Sequence, residues 1–210
     1  MLALAYIAAV VAAYFIGSIP TGFLVAKAKG VDIREVGSGN IGATNVFRIL
    51  GKGAGVFVLL FDAAKGVVPV IFVAQQALKI DPAVNLDWLK IGCGIGAIMG
   101  HNYTCWLRFK GGKGIATSAG VFGALTPMPL LIALGSWILF FAITRYVSFA
   151  SIVAAVALPL ATWIYPFSLP LKVVTTVIGA LAIYKHRANI QRLMNGTEHR
   201  VGGKKKEAEA

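Results

Sequence analysis

Three stretches of this 210-residue chain gather side chains suited to holding an anion. The first, Val36-Gly37-Ser38-Gly39-Asn40-Ile41-Gly42-Ala43-Thr44-Asn45-Val46-Phe47-Arg48, interleaves glycines with Ser38, Asn40, Thr44, Asn45 and Arg48. Small residues expose backbone N–H groups, and hydroxyl, amide and guanidinium groups donate to the same kind of guest, so a phosphate oxygen is the natural one. A solvated turn would not need so many donors.

The second stretch, Lys110-Gly111-Gly112-Lys113-Gly114, sets two cations around glycines. It then opens a short apolar helix, Ile115 onward, whose N-terminus adds favourable partial charge for an anion. The spacing is not that of a nucleotide P-loop, and no acidic residue follows to hold magnesium. A small phosphate ester fits better than ATP, and either lysine can meet it.

The third stretch, Tyr184-Lys185-His186-Arg187-Ala188-Asn189-Ile190-Gln191-Arg192, continues an apolar run as a helix. His186 and Asn189, three residues apart, share a face. One further pair stands out: Asp62 and Lys65 lie a turn apart inside an apolar run. Charge within a membrane is costly unless paired, so the two are expected to pair, either orienting helices or linking them to the phosphate site.

The elements that must position these groups are membrane helices. The chain is 58% hydrophobic and 13% charged, against about a quarter charged in soluble domains. Leu2 to Ala26 is one apolar run, interrupted at Gly17-Ser18-Ile19-Pro20, where a kink or unwound turn is expected. Gly53 to Leu78 and Trp88 to Leu107 are long enough to span. Ile115 to Leu125 is short, and Leu130 to Ile143, Phe149 to Ile164 and Leu171 to Tyr184 follow the prolines at 127 and 129.

Short basic loops stay on the cytoplasmic side of a membrane. With the N-terminus outside and the short segment crossing, loops 27–52, 108–114 and 144–148 and the end from Lys185 all fall inside, carrying nearly all the Lys and Arg. The expectation is an all-α polytopic membrane protein of about seven transmembrane helices, N-terminus outside and C-terminus cytoplasmic. Residues 1–196 form one integral membrane domain, and 197–210 a basic, disordered tail.

The net charge of +12 therefore serves lipid headgroups and phosphate-bearing substrates rather than nucleic acid, whose footprint would be one basic face. Cys93 and Cys105 form no CxxC pair and read as packing residues. Eight acidic residues, three of them Glu198, Glu207 and Glu209, are too scattered for carboxylate-metal chemistry, and no metal site is expected.

Taken together, GSGNIGATNVFR, GHNYTCWLRFKGGKGIATS and YKHRANIQRLMNGTE resemble the three cytoplasmic motifs of the PlsY family of acyl-phosphate:glycerol-3-phosphate acyltransferases, in the same order along nearly the whole chain. The resemblance implies a compact seven-helix bundle in the bacterial inner membrane, acyl phosphate as donor, glycerol 3-phosphate as acceptor and no cofactor. It places Ser38 and Arg48 in the active-site set and assigns glycerol 3-phosphate to the second motif. It matches His186 and Asn189 to the third motif's important positions and makes Glu198 a structural glutamate. Ser148 is a weaker substrate-binding candidate. An acyl-phosphate donor also implies functional coupling to the enzyme that makes it.

Acyl phosphate is an activated mixed anhydride, so direct transfer needs only positioning, oxyanion stabilisation and neutralisation of departing phosphate. Arg48 and a lysine of the second motif would hold phosphate, while Ser38 and backbone N–H groups bind the donor end. His186 or a donor phosphate oxygen would take the hydroxyl proton. A covalent route would instead make Ser38 a nucleophile activated by His186. The alternative of another class is a transporter or channel for a small phosphorylated anion.

Overall fold

The computed structural model describes residues 1–202, and their regular structure is helical throughout. The chain divides into two compact units, Met1–Pro127 and Met128–Ala210.

The first unit is built from small residues facing inward. In α1 (Leu2–Ser18), Ala5, Ala9, Ala13 and Gly17 are buried at four-residue intervals, whereas Leu4, Ile7, Val11 and Phe15 are exposed. This inverts the soluble pattern: lipid is as apolar as leucine, so large side chains gain little by turning inward, and small ones let backbones approach. The partner is α6 (Leu86–Asn102), which meets the stripe with Gly96, Ala97 and Gly100. At the far end, the Asn85 side chain caps α6 by accepting from the N–H groups of Asp87 and Trp88. Tyr6 of α1 closes the same corner through its hydroxyl, which exchanges hydrogen bonds with the Asn85 backbone.

The break expected near Pro20 falls between α1 and α2 (Thr21–Lys27). Pro20 interrupts the helix, so the carbonyls just before it lose their helical donors and must find others in an apolar medium. Thr104 Oγ1 donates to the Ser18 carbonyl at 2.6 Å and Lys65 Nζ to that of Ile19 at 2.8 Å. A second proline acts more gently: α4 (Lys52–Val68) widens into a π-turn at Pro69–Val73 and resumes as α5 (Ala74–Ile80), since one missing donor is absorbed by a looser turn. Between them α3 (Ala43–Leu50) forms where the sequence reading has only a loop. α7 occupies Ile115–Leu125, the short segment foreseen.

At the boundary of the units, α8 (Pro127–Thr144) starts at its proline rather than after it, because Pro in a first turn removes only a donor with no partner. α9 (Val147–Ile164) carries Pro159 in its interior, and Gly179 of α10 (Leu169–Lys185) approaches the Ala155 carbonyl that Pro159 leaves without its helical donor. α11 (Arg187–Met194) follows His186 directly.

Among the described residues, four helices are long and apolar enough to cross a membrane: Leu2–Lys27, Lys52–Ile80, Pro127–Thr144 and Val147–Ile164. α6 and α10, with 17 residues each, reach about 25 Å at 1.5 Å per residue, and α7 only about 16 Å. The segment expected to begin a free tail is tied down at its start: Thr197 and Glu198 donate backbone N–H groups to the Arg192 carbonyl, and Val201 to that of Arg145. The rest of that tail, 203–210, lies outside the described residues.

Candidate active site

The first motif is folded by its own Asn45. This residue is 1% exposed; its carbonyl oxygen accepts the Ser38 N–H at 2.9 Å and its amide nitrogen donates to the carbonyls of Ile33 and Val36. Asn45, expected among the substrate contacts, organises the loop, because a buried amide must satisfy its donors and acceptor locally. Gly37, at φ +63°, lies so close to the Asn45 amide oxygen that a Cβ there would overlap it. Asn40 accepts the Gly42 N–H in an Asx turn. The loop's apolar residues Ile33, Ile41 and Val46 sink into a core with Ala26, Val58 and Leu107, which leaves Ser38 and Thr44 exposed and Arg48 half-buried in the last turn of α3. Just upstream, Arg34 pairs with Asp32 at 2.6 Å. The hydrogen bond from the Arg34 side chain, seconded by its backbone N–H, holds the Asp32 carboxyl down at about 2.

Leu107 carries the second motif into the same core. The turn after it is wound by two left-handed residues, Arg108 and Phe109, at φ 54° and 60°, each costing about 1 kcal/mol. The glycines then lie back over the end of α6: Gly111 donates its N–H to the Asn102 carbonyl and Gly112 to the His101 carbonyl. These two N–H groups, in the motif assigned to glycerol 3-phosphate, are turned inward because the last carbonyls of a helix need donors. Gly114, at φ +80°, precedes α7 and rests on the Asn102 side chain. The two lysines separate by burial, Lys110 being exposed and Lys113 half-buried within the loop.

Beneath this loop lies a buried polar chain. Lys65 Nζ is 2.7 Å from Asp62 Oδ1, with the two side chains 2% and 3% exposed, so the pair expected from their spacing forms. His101, 5% exposed, brings Nδ1 to 3.8 Å from the same Asp62 oxygen. Lys65 also reaches the Ile19 carbonyl, which ties the pair to the broken first span. His101 and Asn102 lie in the second motif's stretch but received no role from the sequence; the available signal was two polar residues closing the small and apolar run 91–100.

The third motif turns on His186, whose φ of −93° and ψ of 5° separate α10 from α11. It is 3% exposed, and Nδ1 lies 2.7 Å from the Ala182 carbonyl. A carbonyl only accepts, so Nδ1 carries the proton and the neutral ring's lone pair sits on Nε2. Asn189 shares the buried side of α11 and donates to Glu198 Oε1 at 2.7 Å. Ser148, expected to touch substrate, donates to the same oxygen at 2.9 Å, and Arg192 Nε meets Oε2 at 2.7 Å. Burial pushes the Glu198 carboxyl up, but the hydrogen bonds from Asn189, Arg192 and Ser148 outweigh it and hold the group below the usual carboxylate range. Among the described residues, no three His, Cys, Asp or Glu side chains gather into a metal site.

Apolar helices joined by polar, glycine-rich segments define the class: a polytopic membrane protein equipped to handle anions. Residues 7–196 match the family model described as glycerol-3-phosphate acyltransferase. The glycerol-3-phosphate acyltransferase of Geobacter sulfurreducens is 50% identical over 188 residues, covering 90% of this chain and 93% of that one. That of Geotalea daltonii is 46% identical over 190 residues, covering 90% and 94%. Among solved structures, the crystal structure of PlsY, an integral membrane glycerol 3-phosphate acyltransferase, in its glycerol 3-phosphate form is 43% identical, with a TM-score of 0.85 over 94% of this chain and 96% of that one. The lysophosphatidic acid form of PlsY is also similar, with a TM-score of 0.81. The chain belongs to the glycerol-3-phosphate acyltransferase family.

Proposed function

We propose that the chain transfers a fatty acyl group from acyl phosphate to glycerol 3-phosphate, giving 1-acyl-glycerol 3-phosphate and inorganic phosphate in phospholipid synthesis. The observation that carries this reading is the agreement, along nearly the whole chain, with acyltransferases of that name, one of them solved in its glycerol 3-phosphate form. The donor is already activated, so binding and orientation do most of the work. Ser38 and Arg48 receive phosphate at the first motif, and Lys113, the lysine held within the glycine loop, receives that of the acceptor at the second. His186 has its basic nitrogen set by the Ala182 carbonyl and either removes the acceptor hydroxyl proton or orients the group that does, with Asn189 beside it.

The chain sits in the bacterial inner membrane with about seven crossings, its N-terminus outside and the three motifs at the cytoplasmic face. The basic loops support that orientation, and anionic lipids then meet the same face. The acyl chain stays among apolar helices, and the donor's source is the enzyme that makes acyl phosphate.

The test is phosphate release and lysophosphatidate formation by purified protein given glycerol 3-phosphate with palmitoyl phosphate or palmitoyl-CoA. Turnover with palmitoyl phosphate alone, abolished in folded Ser38→Ala and His186→Ala variants, is the expected result. Turnover with palmitoyl-CoA alone overturns the donor assignment, and an acyl-enzyme trapped on Ser38 with donor alone replaces direct transfer by the covalent route.

A further inference from the structure

We propose that His101 is a positioning residue for glycerol 3-phosphate: it is the buried side chain through which the Asp62–Lys65 pair sets the glycine loop of the second motif, and with it Lys113. This rests on the reading that the second motif receives the acceptor.

The imidazole is wedged between a charge and a backbone. On one side Nδ1 faces Asp62 Oδ1 at 3.8 Å, longer than a hydrogen bond and within ion-pair range. On the other, Nε2 lies against Gly112, where a Cβ would overlap it. The backbone repeats the link, since the His101 carbonyl accepts the Gly112 N–H at 3.1 Å. A ring in this position fixes how far the loop descends onto α6. Its own reference is rigid: Asp62 is held by Lys65 at 2.7 Å, and Lys65 by the carbonyl of Ile19 at 2.8 Å.

The other end of the loop is set independently. Gly66 of α4 lies against the Thr117 carbonyl, and Gly120 of α7 against that of Ala63, each too close for a Cβ. Loss of the imidazole therefore lets the α6 end of the loop settle from its set height, still tethered by its backbone hydrogen bonds, while α7 stays clamped to α4. Lys113 follows Gly112 directly, so the loss falls on acceptor binding.

The experiment measures phosphate release by full-length protein in detergent as a function of glycerol 3-phosphate and, separately, of palmitoyl phosphate. His101→Ala is expected to raise the KM for glycerol 3-phosphate roughly tenfold, with kcat and the palmitoyl phosphate KM within about twofold. His101→Gln, which keeps a polar group toward Asp62, recovers much of that loss. Gly112→Ala raises the acceptor KM in the same way. Added to His101→Ala it costs little more, because alanine at 101 makes room for the new methyl group. An unchanged acceptor KM in His101→Ala, full additivity with Gly112→Ala, or an equal loss in both KM values and kcat overturns the proposal. Lys113→Ala separates the two levels. If it leaves the acceptor KM unchanged, the second motif does not receive glycerol 3-phosphate; if it raises that KM while His101→Ala does not, only the role of His101 falls.

Discussion

In the first unit, Asp62 is 3% exposed and its charge is met by the ammonium of Lys65 one turn along the same helix. In the second, Glu198 is 7% exposed and receives three donors from two helices: Ser148 at the start of α9, and Asn189 and Arg192 a turn apart in α11. The Asp62 pair lies inside a helix long and apolar enough to cross a membrane, where an unpaired charge finds no water, so its first task is neutralisation. Its remaining bonding capacity grips what lies alongside, the Ile19 carbonyl and His101. Glu198 works as a cross-link instead. α11 presents few apolar residues with which to bury itself, and the carboxylate supplies by hydrogen bonds the attachment that packing does not.

The sharpest break in this comparison is Asp62→Ala. It strands an ammonium at a site 2% exposed, and removing one partner of a buried pair costs about 3–5 kcal/mol. The thermal midpoint in detergent should fall further than for Glu198→Gln or Asp32→Asn. Asp62→Ala combined with Lys65→Met should recover most of the loss, because the double variant leaves no charge behind. If the double variant is no more stable than the single one, the site admits water and neutralisation is not its task.

Glu198→Gln should cost less, about 1–2 kcal/mol, since it keeps an acceptor for Ser148 and Asn189 and loses chiefly the charge-assisted bond to a half-exposed Arg192. Its pH dependence identifies the group. A carboxyl held below the usual range in the folded state contributes stability that is fully present above that range. The contribution fades as pH falls through the depressed value. The midpoints of the parent and Glu198→Gln should thus differ at neutral pH and converge in acid, and a constant gap would mean that the charge of Glu198 contributes nothing.

Sequence reading located spans better than contacts, for a physical reason. Apolar runs and prolines act locally, so the break at Pro20 and the bounds of α7 were readable. α3 was missed although Val46, Phe47, Ile49 and Leu50 carry helical apolar spacing, because the donors around them pointed to a loop. Gly111 and Gly112 belong to the motif assigned to glycerol 3-phosphate, and their N–H groups answer carbonyls at the end of α6. That demand is set by tertiary proximity, which spacing does not encode. Asn45 follows the same logic: polar type suggested a substrate contact, and burial commits its amide to the loop's own backbone.

The smallest effect is expected at Asp32 and Arg34, which repeat the chemistry of Asp62 and Lys65 in a different medium. The two contacts are almost equal in length, 2.6 and 2.7 Å, but Arg34 is 47% and Asp32 28% exposed. Water solvates each partner alone nearly as well as the pair, and salt screens what attraction remains. Asp32→Asn leaves Arg34 stacked 4.8 Å from the Phe23 ring and removes only the charge. It should leave the thermal midpoint at neutral pH unchanged, whereas Asp62→Asn lowers it. With a folded value near 2, whatever the Asp32 charge contributes is present above the usual carboxylate range and lost only as pH approaches 2. A drop for Asp32→Asn comparable to that for Asp62→Asn would mean that distance, not the surrounding medium, sets the worth of an ion pair in this protein.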